Sequence, residues 1–385
     1  MKILIAPDSF KGGMTAKEAA TAIAAGIQPI FPTADLVTVP MADGGEGTVQ
    51  SLVDATAGQF ITVTVSGPLR TPVQAQYGLL GDGQTAVIEM AAASGLQYVD
   101  ETTHNPLVTT TFGTGELILA ALDQGVKRII LGIGGSATND GGAGMAQALG
   151  VSLLTKSGQS ISVGGGGLAD LDRIDTSTVD ARLKTVELLI ASDVTNPLVG
   201  PDGASAVFGP QKGATPEMVK ILDRNLRHYA AVIHRDLGQS LADRSGAGAA
   251  GGLGAGLLAF TNATMEKGVE IVLEYTGLRE KAKGVDLVFT GEGGIDFQTQ
   301  FGKTPFGVAQ ATKEVAPNAP VVVLAGNVGD GVAALYRPDA IDAIFSIVPG
   351  VSDLKTAIEN GPENLRQTAE NVARLYQSIE LKSRR

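Results

Sequence analysis

Residues 286–309, DLVFTGEGGIDFQTQFGKTPFGVA, place a strand, a glycine loop and the start of a helix in one stretch. The apolar run at its start is typical of a buried parallel strand. Beyond the glycines, Thr299 lies where a helix could begin, and Lys303 follows one turn later. Backbone N–H groups, a hydroxyl and an ammonium group can together bind an anion at a helix start. The stretch predicts an anion site at a strand–helix junction.

The stretch is not the P-loop of nucleoside triphosphatases. That motif would need a glycine at position 297, before Gly302-Lys303-Thr304, and the chain has Phe297 there. A tight turn alone would explain the glycines. However, Glu292 and Asp296 add carboxylates, which are the hard oxygen ligands of a phosphate–Mg²⁺ site.

Four other segments share this order of apolar strand, polar or glycine loop and helix. The predicted strands are Ile3–Ala6, Leu36–Val39, Leu287–Thr290, Val321–Ala325 and Ile344–Val348. Thr15 and Glu18 form a capping box pattern at the start of the first helix. Strands that alternate with helices predict a parallel sheet with helices on both faces.

The middle of the chain has a different pattern. Three strand-like segments between residues 61 and 90 are separated by short turns, which predicts an antiparallel meander. We therefore expect a discontinuous domain of residues 1–62 plus 285–385, interrupted by an inserted α/β domain at 63–284. The active site is expected in the cleft between the two domains.

Composition narrows the function. A chain of 385 residues with 44% hydrophobic residues suggests two domains. A net charge of −11 without Lys/Arg clusters argues against nucleic acid or an anionic membrane as partner. The chain has no cysteine and only three histidines, which excludes disulfides, thiolate nucleophiles and Cys-ligated metals. The N-terminus lacks the pattern of a signal peptide or membrane span, so we expect a cytoplasmic protein.

Two early strands end in polar residues. Asp8, Ser9 and Lys11 follow the first strand, and Asp43 and Glu46 follow the second. Ligands of open parallel sheets bind outside the carboxyl ends of the strands. An Asp before a helix is more often only a cap, but recurrence at successive strand ends favours a substrate site.

The inserted region carries a glycine-rich run after the predicted strand Arg128–Leu131. Such a run can present backbone N–H groups and hydroxyls to the phosphates of a nucleotide. It also contains a minimal dinucleotide fingerprint, but no acidic residue ends the following strand as a ribose ligand. A second glycine run at 246–251 predicts close helix packing instead. The predicted nucleotide-binding residues are Gly134, Gly135, Ser136, Thr138, Asn139, Asp140, Gly141 and Gly142.

A third candidate follows the predicted strand Val186–Ala191. Asp193 and Asn196 could ligate Mg²⁺ or accept a proton from a substrate hydroxyl. The alternative is that Asp193 only makes a turn before Pro197.

The chain resembles the type 1 glycerate kinases. The motifs that carry the resemblance are APDSFKG, ADGGEGT, GTGELI, GGSATNDGGAGM, SDVTNPL, GPQKGA and TGEGGIDFQTQFGKTPFGVA, in this order and over essentially the whole chain. The resemblance implies a flavodoxin-like doubly wound parallel sheet interrupted by a second, inserted mixed α/β domain. It also implies ATP-dependent phosphorylation of D-glycerate, usually to 2-phosphoglycerate. The family commonly has arginine where this chain has Gly294, so Lys303 or Lys11 would substitute for it.

Phosphoryl transfer needs positioning and charge neutralisation more than covalent chemistry from the protein. We expect Asp193, with Asp296 as second choice, to orient Mg²⁺ or to accept the hydroxyl proton of glycerate. Lys11 and Lys303 would neutralise phosphate or the glycerate carboxylate, and Thr299 would contact substrate. Glycerate and ATP are the expected small-molecule partners.

Several alternatives stay open at this point. The kinase could give 3-phosphoglycerate or act on another small hydroxy acid. An NAD(P)-dependent dehydrogenase would use the glycine run as a dinucleotide site, and a metabolite-binding protein without activity could share the fold. The sequence leaves the oligomeric state open.

Overall fold

The computed structural model describes residues 1–383. Its thirteen strands are β1 (Lys2–Ile5), β2 (Asp35–Thr38), β3 (Gln59–Ser66), β4 (Pro72–Leu79), β5 (Thr85–Glu89), β6 (Arg128–Gly132), β7 (Ser152–Leu154), β8 (Arg173–Asp175), β9 (Glu187–Ala191), β10 (Thr264–Glu266), β11 (Leu287–Ile295), β12 (Val321–Val328) and β13 (Ala343–Ser346).

The fourteen α-helices of the same residues are α1 (Ala16–Ile27), α2 (Thr48–Thr56), α3 (Ala91–Ser94), α4 (Phe112–Asp123), α5 (Ala143–Ala148), α6 (Gly164–Gly167), α7 (Ala204–Phe208), α8 (Pro216–Leu237), α9 (Ala249–Phe260), α10 (Gly268–Tyr275), α11 (Leu278–Lys281), α12 (Thr304–Val315), α13 (Leu354–Glu359) and α14 (Gly361–Ser383). No helix within residues 1–383 is both long and apolar enough to cross a lipid bilayer.

The chain forms two compact units. The first contains residues 1–43, 50–56 and the described chain from 267 onward, and the second contains residues 44–49 and 57–266. These limits differ from the expected ones at 62 and 285. The strand β3 begins at Gln59 and pairs with β4, and the helix α10 packs against α12 of the first unit. Neither long-range contact leaves a local sequence signal.

The first unit is built on a five-stranded parallel sheet in the order β13-β12-β11-β1-β2. Numbered within this unit alone, the order is 2-1-3-4-5, which is the flavodoxin-like order. All five strands were expected from the sequence, and the predicted fold class is confirmed. In such a sheet, β1 and β11 are neighbours, so the polar residues after both strands lie at one edge.

Burial explains why the inner strands β1, β11 and β12 are continuous apolar runs, whereas the edge strands β2 and β13 are partly exposed. Ile3, Leu4 and Ile5 of β1 are all fully buried. Side chains alternate between the two faces of a strand, so both faces of the sheet must be covered. Ile3 and Ile5 pack with apolar residues of α1 and α14. The helix α1 begins at the predicted capping box, in which Thr15 accepts from the Glu18 amide.

The second unit is built on a six-stranded mixed sheet in the order β10-β9-β6-β5-β4-β3. The pairs β3–β4 and β4–β5 are antiparallel, as expected for the meander, and the other pairs are parallel. The strands β7 and β8 form a separate antiparallel pair. The parallel strands β6 and β9 lie side by side, and Gly132 at the end of β6 pairs with Ala191 at the end of β9.

A glycine permits a close contact between α1 and α14. A Cβ atom on Gly26 would lie 2.1 Å from the carbonyl oxygen of Arg366. Gly26→Ala is therefore expected to lower the free energy of unfolding by about 1–3 kcal/mol, despite the better helix propensity of alanine. Urea unfolding followed by circular dichroism measures the change. The matched control is Gly350→Ala, because no atom lies within 4 Å of that Cβ position. Equal effects of the two substitutions would contradict the contact.

Candidate active site

The first unit collects carboxylates and lysines at the ends of β1 and β11. The amide of Asp8 donates to the carbonyl of Gly291, which fixes the loop after β1 against β11. The Asp8 carboxylate accepts from the Thr304 hydroxyl at 2.5 Å and from the Ser9 amide at 2.6 Å. Burial, and after it the charge of Asp43, raises the pKa of Asp8 to about 6. Asp8 is thus held rigidly and titrates near neutral pH.

Glu292 lies beside Asp8 in the same cluster. Its Oε1 is buried and has no hydrogen-bond partner among the described residues, and the nearest ammonium, on Lys303, is 3.9 Å away. Burial raises the pKa of Glu292 to about 8, against the attraction of Lys303 and Lys11. At neutral pH this carboxyl group is therefore mostly protonated and available as a hydrogen-bond donor. A buried polar atom without a partner needs an explanation, and a bound ligand or water is one.

Asp296 and Thr299 have a local structural role that the sequence did not predict. The Gln298 amide donates to the Asp296 carboxylate at 2.8 Å, and the Asp296 amide donates to the Thr299 hydroxyl at 3.1 Å. Together they form a capping box for the short helical turn Phe297–Phe301. Thr299 is fully buried. Their expected contacts with metal and substrate stay predictions.

In the second unit, the glycine loop follows β6. Gly134 and Gly135 are exposed, whereas the other six residues predicted to bind nucleotide are buried. Gly135 has a φ of 72°, a left-handed conformation that favours glycine. Among the described residues, the amides of Gly134, Gly135 and Ser136 donate no hydrogen bond to the protein. Consecutive unpartnered N–H groups of this kind form an anion-binding concavity.

Asp140 holds the loop from inside. Its fully buried carboxylate accepts from the Thr111 amide at 2.8 Å, from the Thr111 hydroxyl at 2.9 Å and from the amides of Gly142 and Gly144. Burial raises the pKa of Asp140, and these hydrogen bonds oppose that effect. Neighbouring Asn139 donates to the Ser205 hydroxyl at 3.0 Å. These contacts shape the loop from within.

Lys212 is fully buried behind the loop. Its Nζ donates to the Thr138 carbonyl at 2.6 Å and to the Ser136 hydroxyl at 3.2 Å. Burial lowers the pKa of Lys212 to about 7, against the charge of Asp140. The glycine run at 246–251, for which close helix packing was predicted, packs on this loop: a Cβ atom on Gly251 would lie 2.0 Å from the Thr138 carbonyl.

Two further predicted residues lie with the second unit. The segment 44–49 passes beside the loop, because the Gly44 carbonyl is 2.8 Å from a Cβ position on Gly132. This segment carries Glu46. Asp193 is exposed and follows β9, the neighbour of β6, so it lies at the same sheet edge as the loop.

The predicted residues therefore divide into two groups. Glu46, Asp193 and the glycine loop lie in the second unit, and Asp8, Ser9, Lys11, Asp43, Asp296, Thr299 and Lys303 lie in the first. The expected pair of Mg²⁺ ligands, Asp193 and Asp296, is thus split between the two units. Within residues 1–383, no group of three or more His, Asp or Glu side chains is arranged to hold a metal ion.

Sequence reasoning assigned no role to Lys212 or to Thr304, and proposed Glu292 only as an oxygen ligand. The signal for Glu292 was present, since it directly follows a buried strand in TGEGG. Lys212 gave no comparable signal, because most lysines are exposed and nothing local predicts the burial of this one.

Comparisons with known proteins agree with the motifs. A model described as the glycerate kinase family matches residues 3–377. Glycerate kinase from Bacillus subtilis (strain 168) is 55% identical over 373 residues, covering 97% of this chain and 97% of that protein. Glycerate 2-kinase from Escherichia coli (strain K12) is 50% identical over 373 residues, with the same coverage of both chains.

A solved structure is similar as well. A crystal structure from Salmonella typhimurium LT2, whose assignment as glycerate kinase 2 is provisional, has a TM-score of 0.90 and 51% identity, and the match covers 99% of each chain. The resemblance that the motifs carry is confirmed, and the dehydrogenase alternative finds no support in these matches. The chain belongs to the glycerate kinase family.

Proposed function

We propose that this protein is an ATP-dependent kinase that phosphorylates D-glycerate on the 2-hydroxyl to give 2-phosphoglycerate. The observation that carries the proposal is the set of three unpartnered amides at Gly134–Ser136, in a chain whose whole length matches the glycerate kinase family. The name of the Escherichia coli relative, glycerate 2-kinase, favours the 2-hydroxyl. The 3-hydroxyl is the second candidate. The cytoplasmic location stays a prediction.

The second unit would bind the nucleotide. The exposed tip of the glycine loop would donate its amides to phosphate oxygens, while Asp140 and Lys212 hold the loop from its buried side. Asp193, at the same sheet edge, would either accept the hydroxyl proton of glycerate or hold the metal ion. The loop geometry favours contact with phosphate through Gly134, Gly135 and Ser136 over direct contact through the buried Thr138, Asn139 and Asp140.

Mg²⁺ fits this donor set as a phosphate-bound ion. Such an ion takes one or two carboxylates from the protein, and its other ligands are phosphate oxygens and water. The exposed carboxylate of Asp193 suits this coordination. The ion would neutralise charge on the phosphates.

The first unit would bind glycerate. Lys11 and Lys303 are the cations of the cluster and would attract the glycerate carboxylate. Protonated Glu292 would donate a hydrogen bond to it, and Asp8 would accept one from a glycerate hydroxyl. The cluster thus offers a donor or an acceptor to each functional group of glycerate, which explains why it combines lysines with carboxyl groups of raised pKa.

A coupled assay tests the proposed function. The purified protein is incubated with D-glycerate, ATP and Mg²⁺, and ADP release is measured. The phosphorylated product is then identified by ³¹P NMR against both phosphoglycerates. ADP release with 2-phosphoglycerate is the expected result. Formation of 3-phosphoglycerate would show that the 3-hydroxyl is phosphorylated instead. Release of no ADP with D-glycerate would reject the proposed kinase activity.

Glu292 should make stability depend on pH. Its folded-state pKa of about 8 lies above the ordinary 4.5. The folded protein therefore keeps a proton that the unfolded chain releases, so the free energy of unfolding falls as pH rises from 4.5 through 8. Glu292→Gln, which is neutral at every pH, is expected to match wild type near pH ~5. At about pH 8.5 its Tm should exceed that of wild type. The difference should be roughly 2–4 °C for each kcal/mol by which ionised Glu292 lowers the free energy of unfolding of wild type.

The measurement is thermal unfolding of both proteins across this pH range. Glu101→Gln is the matched control, since Glu101 is exposed. The control should change Tm equally at all pH values. A constant difference between Glu292→Gln and wild type would show that Glu292 does not titrate in this range.

A further inference from the structure

Lys212 is a buried lysine without a direct carboxylate partner among the described residues. It is 2% exposed and ends the short helical turn Pro210–Lys212, after α7. Its two hydrogen bonds go to the Thr138 carbonyl and to the Ser136 hydroxyl, which are neutral groups. A buried ammonium group is costly, and the charge of Asp140 offsets only part of this cost without forming an ion pair, so a further anion nearby would stabilise the charged form of Lys212.

The amides of the glycine loop indicate where such a further anion would bind. Lys212 contacts Ser136, which directly follows Gly134 and Gly135, and Thr138, which lies two residues further on. Lys212 therefore fixes the buried side of the same loop whose amides at Gly134–Ser136 have no protein partner. A positive charge behind such a concavity strengthens anion binding because the medium around it has a low dielectric constant.

We propose that Lys212 is the positioning residue of the glycine loop, that it braces the loop through Ser136 and Thr138, and that a nucleotide phosphate bound there is stabilised by its protonated amine. The inference rests on the proposed function, in which this loop binds the nucleotide. Lys212 itself is too buried to contact the phosphate.

A proton-linked affinity follows. Burial lowers the pKa of Lys212 to about 7 when no anion is bound, and a bound phosphate would raise it. Above pH ~7, binding should therefore take up one proton, and affinity should weaken by up to about tenfold per pH unit. Below pH ~7 this dependence should vanish. Three other titratable groups lie nearby. Asp140 is on the loop, and His104 lies against Gly213. Tyr229 of α8 has a raised pKa because of burial and, after it, the charge of Asp140.

Isothermal titration calorimetry with Mg-ADP near pH ~8 tests the proposal. Titrations in buffers of different ionisation enthalpy give the number of protons bound. Wild type is expected to take up close to one proton, and its affinity should fall by roughly tenfold or more between pH ~7 and pH ~8.5. Lys212→Met should bind more weakly without this uptake. Lys220→Met is the matched control at an exposed lysine of α8 and should behave as wild type.

A second variant covers the case in which Lys212→Met does not fold. Ser136→Ala removes one of the two contacts of Lys212, and it should weaken binding several-fold while proton uptake persists. Two results would overturn the role of Lys212 but not the nucleotide site. One is binding of Mg-ADP by wild type without proton uptake, and the other is unchanged affinity in folded Lys212→Met. A wild-type protein that binds no Mg-ADP at any pH would instead reject the proposed nucleotide site.

Discussion

An Asp193→Asn variant is expected to lose turnover by about 10²–10⁴-fold, with nearly unchanged Michaelis constants for ATP and glycerate. Asparagine has the size of aspartate but can neither accept the hydroxyl proton nor place a negative charge beside the metal-bound phosphates. The position supports this role, since Asp193 is exposed and follows β9 at the sheet edge that carries the glycine loop. Steady-state kinetics with both substrates varied measures the change.

The control and the response to Mg²⁺ make the test specific. Asp243→Asn changes another exposed aspartate of the second unit in the same way and should keep wild-type turnover. If Asp193 orients the metal, excess Mg²⁺ should restore part of the turnover. An Asp193→Asn enzyme with wild-type turnover would remove Asp193 from the mechanism.

The fold was predictable because its signals are local. Each strand of the first sheet is a short apolar run followed by a polar or glycine loop, and the Thr15–Glu18 capping box marks the first helix within four residues. The parallel direction of the strands then follows from the alternation of strands and helices along the chain. The domain limits were harder to predict from the sequence, because the packing of α10 on α12 joins segments about 35 residues apart.

The site was predictable only where function sits at strand ends. Asp8, Asp43 and the glycine loop follow strands, and the rule for open parallel sheets identifies them. Residues whose buried side chains hold the glycine loop gave no such signal in the sequence. Lys212 reaches the loop across more than 70 residues of sequence. Asp140 looks like an exposed ligand in the sequence, yet its carboxylate is fully buried and bonded within the unit.

The division of the predicted residues between two units changes how the mechanism is tested. Cations and carboxyl groups of the first unit should affect chiefly the Michaelis constant for glycerate, whereas the loop and Lys212 should affect chiefly nucleotide binding. Gly294 also lies in the first unit, so a substitution there should likewise affect chiefly the Michaelis constant for glycerate. A Cβ atom there meets only Asn327, at 3.9 Å or more, so the backbone has room for a larger side chain.

Asp140→Ala is expected to be the most destabilising of the substitutions considered, at about 3–5 kcal/mol. Alanine would leave the buried amides of Thr111, Gly142 and Gly144 without an acceptor, and each unsatisfied donor costs about 1–3 kcal/mol. It would also remove the negative charge that opposes the low pKa of Lys212. Urea unfolding followed by circular dichroism gives the loss of stability, and titration with Mg-ADP should show that nucleotide binding is lost with the loop.

Two companion variants separate the hydrogen bonds from the general effect of a substitution. Asp140→Asn keeps one acceptor oxygen, but its amide nitrogen would face backbone N–H donors, since both carboxylate oxygens accept from amides. It should therefore be less stable than wild type and more stable than Asp140→Ala. Asp243→Ala, at an exposed position, should change the free energy of unfolding by no more than about 0.5 kcal/mol. A fully stable Asp140→Ala protein would mean that other contacts, such as those of Gly251 and Lys212, suffice to hold the glycine loop.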